Sequence, residues 1–200
     1  SNIISMMKKG RLEEKASKDV PALKTFAKEL LRLGEELMSS PIKYSESDHV
    51  AFMCLCFVSK QVYHMKSIIA LTEMGQGRDA SLIARSMMEG MALLLWSLSE
   101  PATRPLSWRA FAYVEDFRLL RKKENACERV DELRRKAINE ALAQYGSQFY
   151  SKKARNAKRK NRQLPDDPYR DRWHEPSIAQ IFEEVKGEIL YSELYKNMSK

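Results

Sequence analysis

The chain has 200 residues and a mass of 23.2 kDa, enough for about one domain that buries roughly 70% of the surface its unfolded chain exposes. Its seven Gly and seven Pro fall well under the roughly 12% of average usage, and 44% hydrophobic against 31% charged residues exclude a collagenous, low-complexity or globally disordered chain. The net charge of +8 is uneven: residues 1–100 carry 13 Lys and Arg against 12 Asp and Glu, residues 101–200 carry 22 against 15.

Ser1-Asn2-Ile3 opens with no basic stretch ahead of an apolar one, so no export signal is expected. Residues 1–17 read as an N-terminal extension and 18–200 as one helical domain. Asp19 before Pro21 predicts an N-cap and a first-turn proline, and Leu23, Phe26, Leu30, Leu33 and Leu37 follow at spacings of 3, 4, 3 and 4. That seam is heptad-like and suits either the domain core or a second copy of the chain in a homodimer. Pro41 stops the helix, and Ser45 or Ser47 caps a second one running to about Met74, closed by Gly75 and Gly77. Within it lies the longest apolar run, Val50 to Val58, half the ~18 residues that would indicate a membrane span. No membrane partner is expected. Cys54 and Cys56 sit in that run, and Cys127 makes the cysteine count odd, which fits a reducing cytoplasm.

A third helix is predicted over about 79–98, apolar on every side, and therefore central to the bundle. Between Ala80 and Leu98 its only ionisable residues are Arg85 and Glu89, four apart. Stranding either charge among apolar neighbours costs several kcal/mol, so the two are expected to pair, with Ser86 beside them and Tyr113 from the next helix in reach. Such a pair either fixes helix register or forms a ligand site in which Arg85 meets an anion.

Pro101 and Pro105 enforce a turn, a fourth helix starts at about Ser107, and helix-compatible sequence continues to about Tyr150 with breaks near Asn125 and Gly146. Between Glu140 and Asp166 there is no acid, while Lys152, Lys153, Arg155, Lys158, Arg159, Lys160 and Arg162 supply seven positive charges. With Tyr145, Phe149, Tyr150, Tyr169 and Trp173 nearby, residues 152–162 are the candidate surface for nucleic acid or another polyanion. Residues 164–176 form a proline-bounded loop, Pro176-Ser177 opens a short helix closed by Gly187, and a last helix starts near Ile189. No strand is predicted. The fold class is all-α, a bundle of six to eight helices.

The chemistry of the remaining residues is thin. Glu46-x-x-His49 and Asp171-x-x-His174 have the carboxylate-histidine spacing of di-metal bundles, but one lies in a polar helix entry and the other in a loop, so no metal and no cofactor is expected. A helical ribonuclease of toxin or phage-defence type is the sharpest enzyme alternative; Arg170 and His174 have three residues between them, where that class has four to six.

Gly77-Arg78-Asp79-Ala80-Ser81-Leu82-Ile83-Ala84-Arg85-Ser86-Met87-Met88-Glu89 resembles the signature helix of an uncharacterised bacterial all-helical family of unknown function, with the pattern A-x-x-x-x-R-S-x-x-E. Trp173, Ser177-Ile178, Tyr191, Tyr195 and Ser199 resemble its later landmarks, a Trp, a Ser-Ile helix start and a Y-x-x-x-Y-x-x-x-S tail. The resemblance implies that Arg85, Glu89 and the tail converge, and it brings no activity with it. The expected role is a soluble binding or interaction module.

Overall fold

A computed structural model describes the backbone of residues 2–187 and the side chains of residues 20–187. The expected last helix near Ile189 and the tail residues Tyr191, Tyr195 and Ser199 lie outside the described residues. Seven α-helices are present among the described residues: α1 Asn2–Ser39, α2 His49–Glu73, α3 Gly77–Leu98, α4 Arg104–Asn125, α5 Glu132–Tyr145, α6 Lys152–Arg159 and α7 Ile178–Glu184. There is no strand among them, only an isolated antiparallel bridge between Tyr150 and Tyr169. The all-α class and the helix number follow the pattern of the sequence.

Three helix starts differ from expectation: α2 begins at His49 with the Asp48 carboxylate accepting from Ala51 N at 2.9 Å, so neither Ser45 nor Ser47 is its N-cap, and α1 and α4 are the other two. α1 begins at Asn2 and runs through Pro21, so Asp19 is not its N-cap. A proline in a helix interior forfeits one backbone bond and costs about 3 kcal/mol, yet the residues before it include four Lys, two Met, two Glu, Arg11 and Leu12, all strong helix formers. α4 begins at Arg104, with Pro105 in its first turn, where the missing N–H has no intrahelical partner to lose.

The chain divides into two compact units, the first taking residues 2–45, 54–92 and 187 of those described, the second 46–53 and 93–186. In the first unit α1 and α3 press closely on α2. A Cβ on Gly34 would stand 2.6 Å from Val62 Cγ2, and one on Gly90 2.6 Å from Gln61 Nε2. The ion pairs Lys28–Glu73 at 2.6 Å and Lys66–Glu35 at 3.2 Å tie α1 to α2, and Gln61 Nε2 donates to the Met87 carbonyl of α3 at 3.1 Å. Few large side chains are fully enclosed here. The stripe Leu23, Phe26, Leu30, Leu33 and Leu37 is exposed along its whole length. α3 is not covered on all sides either: Leu82 and Met91 of the first unit, and Leu95 in the helix's continuation into the second, stand exposed.

The second unit has a core of its own. Ala110, Phe111 and Val114 of α4 pack with Phe149, and Leu142, Tyr145, Tyr169 and Trp173 close around them. Phe111 meets Phe149 edge to face at 5.2 Å, and Phe117 meets Tyr169 likewise at 5.5 Å, arrangements that add about 0.5–1.5 kcal/mol each to plain burial. Local capping sets the boundaries. The Asp131 carboxylate accepts from Leu133 N at 2.9 Å to open α5, Ser151 Oγ accepts from Ala154 N at 3.2 Å to open α6, and Ser177 and Gln180 form a reciprocal capping box at α7. α6 ends where Asn161 turns left-handed, at φ +52°, a conformation asparagine tolerates, and Arg162 N returns to the Ala157 carbonyl at 2.9 Å.

Candidate functional site

In the first unit Arg85 and Glu89 form an ion pair, Nε to Oε1 3.3 Å, with about a third of each side chain exposed (35% and 33%). They sit one turn apart on α3, and Ser86 beside them is half-buried. The pair is less enclosed than an all-round apolar helix predicts, because α3 carries the exposed side chains described above. Tyr113 lies on α4 in the second unit at the edge of exposure, 36%. Two other polar groups of α4 have partners within the second unit: Asp116 accepts from Arg134 at 2.8 Å, and Arg109 donates to the Glu46 carbonyl at 2.6 Å while stacking on Phe52.

The second unit brings together a different set. Ser151 N donates to the Pro168 carbonyl at 2.8 Å and Arg170 N to the Phe149 carbonyl at 2.9 Å, which lays the loop 168–175 against the start of α6. Between them opens a cleft of about 480 Å³ lined by Tyr150, Lys152, Arg155, Tyr169, Arg170, Arg172, His174 and Glu175, among others. Arg155 and Arg170 both donate to Oε1 of Glu175, at 2.9 and 2.7 Å, and the Arg155 bond, helped by Arg170 against partial burial, holds the Glu175 carboxyl below the usual carboxylate range. Arg170 also donates to the Trp173 carbonyl at 2.6 Å.

His174 is the buried titratable group at this cleft, 7% exposed. Burial pushes its imidazole below the ordinary value, and the charges of Arg172 and Arg170 push the same way, against the bond to Pro176. The Pro176 carbonyl can only accept, so Nδ1, at 2.7 Å, carries the proton, and in the neutral ring Nε2 is the bare nitrogen. Trp96 and Trp173 pack against the ring at 6.4 and 5.4 Å. Trp96 is fixed in turn by its Nε1–H to Glu184 at 2.5 Å and by Arg104 stacked on its face at 3.7 Å.

All seven predicted cations of 152–162 are exposed, and α6 is seated by Ala154, fully buried, and Ala157, half-buried. Among the described residues Arg155 alone of the seven makes an ion pair with an acid. Lys158 lies 5.7 Å from the Tyr150 ring and Arg159 donates to Asn156 at 3.4 Å. No group of three or more metal-ligating side chains occurs among the described residues.

One positioning residue carried no signal in the sequence. Arg118 of α4 donates Nε to Asp167 at 2.8 Å, Nη1 to Glu115 at 2.9 Å, and Nη2 to the carbonyls of Tyr169 and Arg170 at 3.4 and 3.1 Å. Despite burial, the bonds and charges of Asp167 and Glu115 raise its already high pKa. It pins the loop from which Tyr169, Arg170 and His174 reach the cleft. Nothing local in the sequence links Arg118 to a loop some fifty residues later.

A family model described as "Family of unknown function (DUF5677)" matches residues 51–200. The chain belongs to DUF5677. The match takes in α2 to α7, hence both Arg85–Glu89 and the cleft, while α1 lies ahead of it. No curated protein and no solved structure matches the chain. No helix is long and apolar enough to cross a membrane among the described residues. DUF5677 membership therefore carries fold and kinship, and function has to be argued from the residues.

Proposed function

We propose that this protein is a binding module for a polyanion of the nucleic-acid type, gripped by α6 and the adjoining cleft. The observation that carries the reading is the charge left unspent there: Lys152, Lys153, Lys158, Arg159, Lys160 and Arg162 are exposed and unpaired with any acid among the described residues. A helix seated on two alanines and capped by Ser151 presents them from a fixed base, and Tyr150 gives a base a ring to stack on. Arg155 and Arg170 share one carboxylate, so they organise the cleft rather than add free charge. Under this reading Arg85–Glu89 is a register pair of the scaffold.

A second reading, cleavage of RNA, rests on His174 alone. A neutral imidazole with its tautomer fixed by Pro176 can accept the proton of a ribose 2′-hydroxyl as that oxygen attacks the adjacent phosphorus, the 5′-oxygen leaving with a proton from water.

Both are read from one set of titrations. Replacing Lys152, Lys153, Lys158 and Lys160 by Gln should weaken RNA and DNA binding and lower the slope of log K against log salt by roughly 0.7–0.9 for each phosphate no longer neutralised. Binding that is unchanged in the variant, or insensitive to salt in the native chain, removes the proposal. RNA incubated with the protein, chelator present and absent, yields a 2′,3′-cyclic phosphate end if the second reading holds; intact RNA in both conditions eliminates that reading and leaves the first standing.

A further inference from the structure

The first unit holds an unspent surface of the opposite kind. Leu23, Phe26, Leu30, Leu33 and Leu37 are 62, 62, 42, 52 and 48% exposed, on one continuous face of α1. The inner side of the same helix is what packs: Ala27, Leu31 and Gly34 are half-buried, with Gly34 drawn against Val62. The leucine stripe stands about a quarter turn away from that face. Five large apolar side chains in a row are far more than the scattered single exposures normal on a monomer.

We infer that the α1 stripe is the interface of a homodimer, paired with the same stripe of a second copy. Three observations favour a second copy over another occupant. The stripe alternates spacings of 3 and 4 over four intervals, the seam that two helices bury by knobs-into-holes packing, and it contains no polar residue that a two-fold partner would leave unsatisfied. Its five side chains expose on the order of 500 Å², so two copies would bury about 1,000 Å² between them, the lower end for a specific interface and suited to a dimer of modest affinity. Its charged flank asks for no complementary partner, because Arg32 already pairs with Glu29 at 3.0 Å and with Glu36 on the same helix. An acidic or basic partner would find those charges taken. The interface should be hydrophobic and indifferent to salt, unlike the cationic surface of α6.

The test is sedimentation velocity of the full chain from about 1 to 100 μM, at low salt and at 1 M NaCl, with the double variant Leu30→Lys, Leu33→Lys alongside. The native chain should sediment as a dimer at both salt concentrations, and the variant as a monomer of unchanged helical circular dichroism. The milder Leu33→Ala, which cannot unfold a chain through an exposed position, should weaken the dimer about tenfold or more. A native chain that stays monomeric at 100 μM, dimers that 1 M salt dissociates, or a dimer indifferent to both changes at Leu33 would overturn the inference. So would a monomer that partitions onto vesicles of zwitterionic lipid.

Discussion

Phe149 and Phe26 are the same side chain in opposite circumstances. Phe149, in the second unit, is fully enclosed, with Phe111 at its edge and Arg170 over its ring at 5.6 Å. Phe26, in the first, is 62% exposed within an apolar stripe. Their neighbourhoods repeat the contrast. Of the eighteen large hydrophobic side chains that stand exposed among the described residues, thirteen belong to the first unit, whereas the second closes an aromatic core and turns its cations outward. One unit is finished as a folded object and the other presents surface that a partner would complete. The chain thus has two kinds of exposed potential, one electrostatic and screened by salt, the other apolar and unscreened.

The largest expected effect breaks that comparison directly. Phe149→Ala should cost about 3–5 kcal/mol, the usual range for emptying an aromatic site in a core, read from the midpoint of urea unfolding. Phe26→Ala in protein dilute enough to be monomeric should change stability by less than about 0.5 kcal/mol. Equal losses at the two positions would mean that the α1 stripe is as enclosed as the core around Phe149, and the distinction between the units would fall.

A smaller effect sharpens the second unit. Arg118→Met removes its charged bonds to Asp167 and to the carbonyls of the following loop, and a charge-assisted bond in such a setting contributes about 1.5–3 kcal/mol. We expect stability to fall by on the order of 2 kcal/mol, and the affinity for RNA to fall with it although Arg118 touches no ligand. Its side chain is only 19% exposed, so the phosphate count, and with it the salt slope, should stay that of the native chain. A lower slope would place Arg118 on the binding surface and not behind it.

These residues also mark how far the sequence was legible. Helix number, the all-α class and the breaks near Asn125 and Gly146 follow from periodicity and capping, which are local. Prolines misled twice: Pro21, read as a first-turn proline, lies inside α1 because strong formers upstream carry the helix through it, and Pro105, read as part of a turn, sits in the first turn of α4, where its missing N–H has no partner to lose. Arg85 and Glu89 were conspicuous as lone charges in an apolar helix, and they do pair, but how much water reaches them depends on what covers α3, which no single helix encodes. The basic segment was visible as composition. The cleft beside it was not, since it arises where α4, the start of α6 and the 168–175 loop meet, joined by Arg118 and by backbone bonds that leave no residue pattern. Likewise the α1 seam was plain from its spacing, while its place at the core or the surface depends on which face of α1 turns toward α2.

The smallest effect tests both units together through pH. His174 in the second unit and His64 in the first are each pushed below the ordinary imidazole value, chiefly by burial. His64 Nδ1, furthermore, is buried without a partner. A lowered value means that the unfolded chain takes up protons before the folded one does, so stability is full above about pH 6.5, the ordinary imidazole pKa, and declines as pH falls below it. Glu175, held low by Arg155 and Arg170, adds its own loss only at more acidic pH, as the solution passes below the ordinary carboxylate range. Urea midpoints between about pH 7.5 and 5 should therefore fall on acidification, and should fall less in His64→Gln and less again with His174→Gln added. If the midpoint rises toward about pH 5, the imidazoles are gaining carboxylate partners instead of losing water, and the neutral His174 at the cleft, with the RNA-cleavage reading built on it, goes too.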